Sequence, residues 1–229
     1  MSGETGYNRR GAFICAKIFS LLNSLGPSTY DEVSPLIEYW IEYALTEQSV
    51  DAGDLVARLS LLTWEHRNPE CNAAIARFLK EFRATPHRSE QARSCVDGLC
   101  SRVLTWFAAA SAENLVPWNG HDYADVARYR GSGFVRAASF VGHLIEFGVL
   151  DHDLVRRHLV KPLIAHHYTN PDDIGRGFRT LAIYQLFLAA GSTLLQGLLE
   201  PKDIEVCFES FDTKMPSGFT GLNAVKLNV

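Results

Sequence analysis

A histidine, a His-Asp pair and a later aspartate, converging on one or two divalent ions that activate a water, make up a known all-helical hydrolytic centre. This chain carries His87, His121-Asp122 and then Asp151 or Asp172 in that order. His121-Asp122 follows Trp118-Asn119-Gly120, however, which reads as a loop rather than a helix interior. A second such dipeptide, His152-Asp153, shows how readily the pair arises among eight histidines. There is no GxSxG elbow, no phosphate-gripping glycine loop and no HExxH helix. His166-His167 closes a helical pattern, where a cation complements the helix dipole. The expectation is a non-enzyme, with no catalytic residue, no metal site, no cofactor and no small-molecule substrate.

The five cysteines, Cys15, Cys71, Cys95, Cys100 and Cys207, form neither CxxC nor a zinc spacing. Several fall on apolar helix faces, so they read as reduced core residues, with an intracellular, cytoplasmic or nuclear location implied. The arginines are more informative. Arg128, Arg130 and Arg136 cluster before one helical pattern, Arg156, Arg157 and Lys161 lie on the polar side of the next, and Arg176 and Arg179 follow. If successive hairpins stack in register, these form a stripe suited to RNA phosphates or an acidic partner. The plainer account is a solvated helix face offset by nearby acids.

Positioning such a stripe falls to Phe134–His167. Phe134, Ala137, Ala138, Val141, Leu144 and Ile145 repeat at the three-to-four spacing of one apolar helix stripe. Gly148 ends that helix, Leu150 bridges, and Asp151 can cap a second helix carrying Leu154, Val155, Leu159, Leu163 and Ile164. Neither helix buries its stripe alone, so the pair needs neighbours. Upstream, Ala12–Leu25 predicts a helix with Phe13, Ile14, Ile18, Leu21, Leu22 and Leu25 as its apolar side, broken by Gly26-Pro27. Tyr30–Leu45 follows, kinked or restarted at Pro35. Further helices are expected over Ser49–Glu65, Glu70–Phe82 and Glu90–Ala110, with a polar break at Arg83–Ser89 and a loop at 111–121. Beyond the central pair, Pro171–Leu199 and Lys202–Thr213 complete about nine helices, and no strand-like alternation of useful length occurs.

At 229 residues, 47% of them hydrophobic and 21% charged, the chain can bury one sizeable core. A net charge of −4 argues against a broad nucleic-acid surface. Thr180–Leu199 carries no charged residue and is long enough to cross a bilayer. It also holds Gln185, Ser192, Thr193, Gln196 and two glycines, so a buried helix is expected there and no membrane partner. No secretory signal pattern is visible around Gly6-Tyr7-Asn8-Arg9-Arg10.

Phe140-Val141-Gly142-His143-Leu144 with Val149-Leu150, then Leu159-Val160-Lys161-Pro162-Leu163, resembles the central helix pair of the middle domain of eukaryotic translation initiation factor 4 gamma. That family's pattern is phenylalanine, branched aliphatic, glycine, usually glutamate, leucine; His143 stands where glutamate is usual. Leu21–Pro27 resembles its Leu-Asn-Lys-Leu-Thr-Pro segment, Leu61–Glu70 its helix closing on Glu-Pro-Asn, Cys100–Phe107 its Cys-Gln-Lys-Glu-Phe, and Ala190–Leu194 its Ile-Gly-Lys-Asp-Leu. The resemblance covers roughly Ala12–Lys214, and Met215–Val229 does not match the family's last helix.

The resemblance implies an all-α HEAT-type solenoid of antiparallel hairpins over residues 12–214, with a flexible N-terminus (1–11) and a C-terminal tail (215–229). It further implies a scaffold for a DEAD-box RNA helicase, with RNA as a second ligand, in translation or mRNA metabolism. Carried over by position, the inter-helix loops that would grip the helicase place Leu25, Tyr30, Arg67, Asn68 and Glu70 at the contact. The alternatives are a helical-repeat adaptor in a pathway without RNA, and an HD-type metal-dependent phosphohydrolase built on the His-Asp residues above.

Overall fold

Among the described residues of the computed structural model (4–46, 50–51, 53, 55–56, 59, 69–85, 90–112, 123–151, 155 and 182–191), every regular element is an α-helix and no strand occurs. We label them α1 (Glu4–Asn23), α2 (Tyr30–Thr46), α3 (Pro69–Ala84), α4 (Glu90–Ala112) and α5 (Tyr123–Glu146). Gly53, Leu55, Val56 and Leu59 are also helical, as are residues 182–191. The rest of the expected nine-helix series, including the partner of α5, lies outside the described residues apart from Val155.

Each helix follows from its apolar spacing, with four departures from expectation. α1 buries Ile14, Ile18 and Leu22 on one stripe, but it begins at Glu4, within the N-terminal stretch expected to be flexible. Arg10 anchors this extension: its guanidinium donates to the Tyr43 hydroxyl and lies over the Tyr43 ring, 5.7 Å from the centroid. α2 runs unbroken through Pro35. The proline sits in the second turn of the helix on an exposed flank, where it removes a single backbone bond. α5 begins at Tyr123, well before Phe134, so Arg128 and Arg130 lie within that helix rather than before it. α3 likewise takes in Arg83, which the sequence pattern assigns to a polar break.

α1 packs on α2, and α3 packs on α1, α2, α4 and α5, while α4 also meets α2 and α5. The core therefore centres on α3. Its Ile75, Phe78, Leu79 and Phe82 are buried, with the Phe78 and Phe82 rings stacked at 5.4 Å. A cavity of about 20 Å³ marks the convergence, lined by Leu22, Ile41, Leu59, Ile75, Phe78, Leu79, Leu99 and Phe140 from every helix α1–α5 and the Leu59 turn. No polar atom lines it, so it offers water no hydrogen bond.

The corner after α5 is as the glycine predicts. Gly148 adopts φ 68°, the left-handed conformation that glycine reaches without Cβ strain. The Val149 N–H then donates to the Leu144 carbonyl at 2.8 Å and the Gly148 N–H to the Ile145 carbonyl at 3.0 Å, satisfying carbonyls the helix end leaves open. The Asp151 carbonyl accepts from Val155 N–H at 3.0 Å, which opens the next helical turn. Arg83 reaches across from α3 and donates through Nη1 to the Val149 carbonyl at 2.9 Å, tying the corner to the central helix. On the other side α5 meets the 182–191 helix so closely that a Cβ on Gly142 would stand 2.6 Å from the Ala189 Cβ.

Candidate partner-binding surface

The turn between α1 and α2 is held from inside. Ser24 donates its hydroxyl proton to the Leu21 carbonyl at 2.9 Å, and Thr29 donates to the Ser24 carbonyl at 2.7 Å. The Thr29 hydroxyl also accepts from Gly26 N–H at 2.9 Å, so one side chain closes the turn from both directions. Leu25 is fully buried and Tyr30 is 4% exposed, whereas Pro27 and Ser28 face solvent.

Tyr30 fixes the turn to α3. Its hydroxyl donates to Glu81 Oε2 at 2.7 Å, Arg77 Nε donates to Glu81 Oε1 at 2.8 Å, and the Arg77 guanidinium lies over the Tyr30 ring, 3.9 Å from the centroid. A cation on a ring face and a carboxylate at the ring's hydroxyl make a closed three-member clamp. Burial raises the Tyr30 pKa, and the adjacent Glu81 carboxylate raises it further. For Glu81, burial pushes the carboxyl up, but the hydrogen bonds from Tyr30 and Arg77 outweigh it and hold the group below its ordinary range.

The second surface lies along the α1–α2 hairpin. α2 carries apolar residues on both sides: Ile37, Ile41, Ala44 and Leu45 point into the core, while Leu36 and Tyr39 are 50% and 59% exposed. Phe13 of α1, assigned to that helix's core side by sequence, is instead 62% exposed. The rings form one cluster. Tyr39 and Tyr43 stack nearly parallel (13°, centroids 6.2 Å apart), Trp40 stands edge-on to both, and Phe13 meets Trp40 at 6.3 Å. Leu36, Tyr39 and Tyr43 repeat at three and four on the side opposite Ile37, Ile41 and Ala44, so the sequence marks two apolar stripes on α2 without saying which one is inside.

Of the five residues expected at a helicase contact, Leu25 and Tyr30 belong to the core and shape the turn from behind rather than presenting surface. Glu70 is exposed at the start of α3, and Arg67 and Asn68 lie outside the described residues. In the arginine stripe, Arg136 is half-buried on α5; Arg128 and Arg130 lie on the same helix, but their side chains are outside the described part, as are Arg156, Arg157 and Lys161 altogether. The described residues thus do not bring that stripe together. His87, His121, Asp122 and Asp172 are also outside them, and among the described residues no cluster of three or more His, Cys, Asp or Glu is placed to hold a metal.

Cys15, Cys71, Cys95 and Cys100 are buried free thiols. Burial raises the pKa of Cys95 to about 11 and, with Asp97 nearby, that of Cys100 to about 12. A group that far from ionising at neutral pH is a poor nucleophile. No family model, no curated protein and no solved structure matches this chain.

Proposed function

We propose that the chain is a non-enzymatic binding scaffold, a HEAT-type stack like the middle domain of initiation factor 4 gamma, that docks a DEAD-box RNA helicase in translation or mRNA metabolism. The observation that carries this is the α1–α2 turn, whose polar side chains are spent on its own backbone and on α3 while Pro27 and Ser28 remain outside. A loop already held in one conformation loses little entropy when a partner settles on it. The packing order supports the stacked arrangement, since α3 touches the preceding α1–α2 pair and the following α4 and α5, as neighbours in a solenoid do. The helicase itself comes from the resemblance alone.

Immobilised chain incubated with lysate, with and without ribonuclease, tests this reading. Recovery of a DEAD-box helicase that survives nuclease supports it, and its loss with nuclease would assign the contact to RNA instead. Ser28→Arg and Glu70→Arg are then expected to weaken a purified helicase complex while leaving stability within about 0.5 kcal/mol, as surface changes do. Binding unchanged in both variants would remove the turn and the start of α3 from the interface.

A further inference from the structure

The crest of α2 joins exposed rings to carboxylates. Each residue turns a helix by about 100°, so Glu32, exposed and one heptad before Tyr39, lies on the same line along α2 as Tyr39. Trp40 and Leu36 fall on the side toward α1, where Trp40 meets Phe13. Asp31, Glu38 and Glu42 fall on the flank turned away. α2 contains four acidic residues and no basic one. Across the hairpin Arg10 is engaged by Tyr43, so the exposed Lys17 is the charge of opposite sign on this face among the described residues.

Tyr39 is 59% exposed, and among the described residues its ring meets Trp40 edge-on and Tyr43 in parallel, with no cation over it. Tyr43 follows one turn later, so the other face of the Tyr39 ring looks toward the start of α2, where Glu32 stands. Pro35 and Leu36, both exposed, occupy the turn between them. The chain itself shows what completes such a face. At Tyr30 the Arg77 guanidinium lies 3.9 Å from the ring centroid, with its charge met by Glu81. At Tyr39 the ring and the acid are present, and the arginine must come from outside.

We propose that the crest of α2 docks an arginine-bearing extended segment of a protein partner, one guanidinium stacking on Tyr39 and a second cation pairing with Glu32 and Asp31. Seven helical residues rise about 10 Å, which an extended chain spans in about three residues, so arginines three apart match the crest. Pro35 and Leu36 offer apolar surface to the alkyl stem between ring and acid. Arginine is selected over lysine because a planar guanidinium stacks flat on a ring, whereas an ammonium keeps its water. A nucleic acid or an anionic membrane would bring phosphates against Glu32 and Asp31, and a second copy of α2 would set Glu32 against its counterpart, so none of these fits. The contact is independent of the helicase reading, whose test residues, Ser28 and Glu70, stay unchanged in every variant below.

Fluorescence anisotropy of a labelled peptide of four Arg-Gly-Gly repeats, titrated with the full chain at low salt, tests this, with a Lys-Gly-Gly peptide of equal length and charge alongside. Saturable binding is expected, several-fold tighter for the arginine peptide. Tyr39→Ala should weaken it roughly fivefold or more, the effect of a cation–π contact, while Tyr39→Phe, which keeps the ring face, should bind within about twofold of the wild type. Unchanged far-ultraviolet circular dichroism melts are expected for both, since Tyr39 is exposed. The sign of the partner is read separately: Glu32→Lys should weaken the arginine peptide and Lys17→Ala should tighten it, both effects shrinking as salt is added. A wild-type chain with no saturable binding would overturn the proposal. So would equal affinity for the two peptides, or a Tyr39→Ala chain that binds like the wild type. A uridine dodecamer whose binding is weakened by Lys17→Ala and strengthened by Glu32→Lys would assign the face to RNA instead.

Discussion

Gly142 is the most exacting test of the packing. Replacing it with alanine adds one carbon, which would stand 2.6 Å from the Ala189 Cβ and 3.0 Å from the Leu186 carbonyl oxygen. Carbons in contact prefer about 3.5–4.0 Å, so the new methyl is roughly 1 Å too close. Both carbons are fixed to helix backbones, and neither can swing aside as the end of a long side chain would. The α5 and 182–191 helices must move apart, loosening every contact between them. Overpacking of this kind costs about 1–3 kcal/mol. Against it stands the helix preference of alanine over glycine, about 1 kcal/mol.

The net expectation for Gly142→Ala is a loss of up to about 2 kcal/mol, which at about 2–4 °C per kcal/mol for a chain of this length lowers Tm by up to about 8 °C. Gly98→Ala is the matched control. There the added carbon meets only Val56 methyls at 3.6 and 3.8 Å, an ordinary contact, so the propensity gain stands unopposed and Tm should rise. Melting curves by far-ultraviolet circular dichroism read both. A Gly142→Ala protein that gains as much in Tm as Gly98→Ala would refute the close approach of the two helices.

Leu144→Ala, at a position fully buried in α5, is expected to cost about 2–5 kcal/mol by chemical denaturation; a change within error would mean that face is not packed. Tyr30→Phe deletes the hydroxyl that donates to Glu81 and should cost about 1 kcal/mol. Its pH signature has two limbs. The raised Tyr30 pKa contributes stability that is present below the free tyrosine pKa and lost as pH rises through the folded value, so the wild-type advantage over Tyr30→Phe should shrink in alkali. The lowered Glu81 pKa contributes above the free carboxyl value and is lost as pH falls through the folded one, so that advantage should shrink in acid as well. An advantage independent of pH would refute the clamp. Iodoacetamide at mildly alkaline pH should leave Cys95 and Cys100 unmodified in the native chain and modify both in guanidinium, read by peptide mass spectrometry; native labelling would mean those thiols are accessible.

The α5 stripe was legible because one period governs it: Ala137, Ala138, Val141, Leu144 and Ile145 face one way and are buried. Gly148 was legible as a stop because only a left-handed residue closes that corner. Phe13 and Tyr39 were not, because hydrophobicity marks a side chain as apolar without saying which side of the helix is inside. When both sides are apolar, as on α2, only the neighbours decide. Tyr30 and Arg83 were hidden for another reason. Their partners lie 51 and 66 residues away, and no local pattern carries a contact at that separation. Gly142 stood out as a motif glycine, yet its cause, the Ala189 methyl, belongs to a different helix.

The central place of α3 has a kinetic consequence. The α1–α2 hairpin closes through a short turn and costs little loop entropy, so it can form early. α3 cannot be completed locally, since it must collect Tyr30 from one side and the Val149 carbonyl from the other. The step that commits the chain is then the docking of α3 onto the preformed hairpin, with Ile75 and Phe78 in the nucleus. Ile75→Val should slow refolding by most of its effect on stability, whereas Ile145→Val on α5 should mainly speed unfolding. Equal partition of the two changes between the limbs of the chevron would mean that no single helix leads.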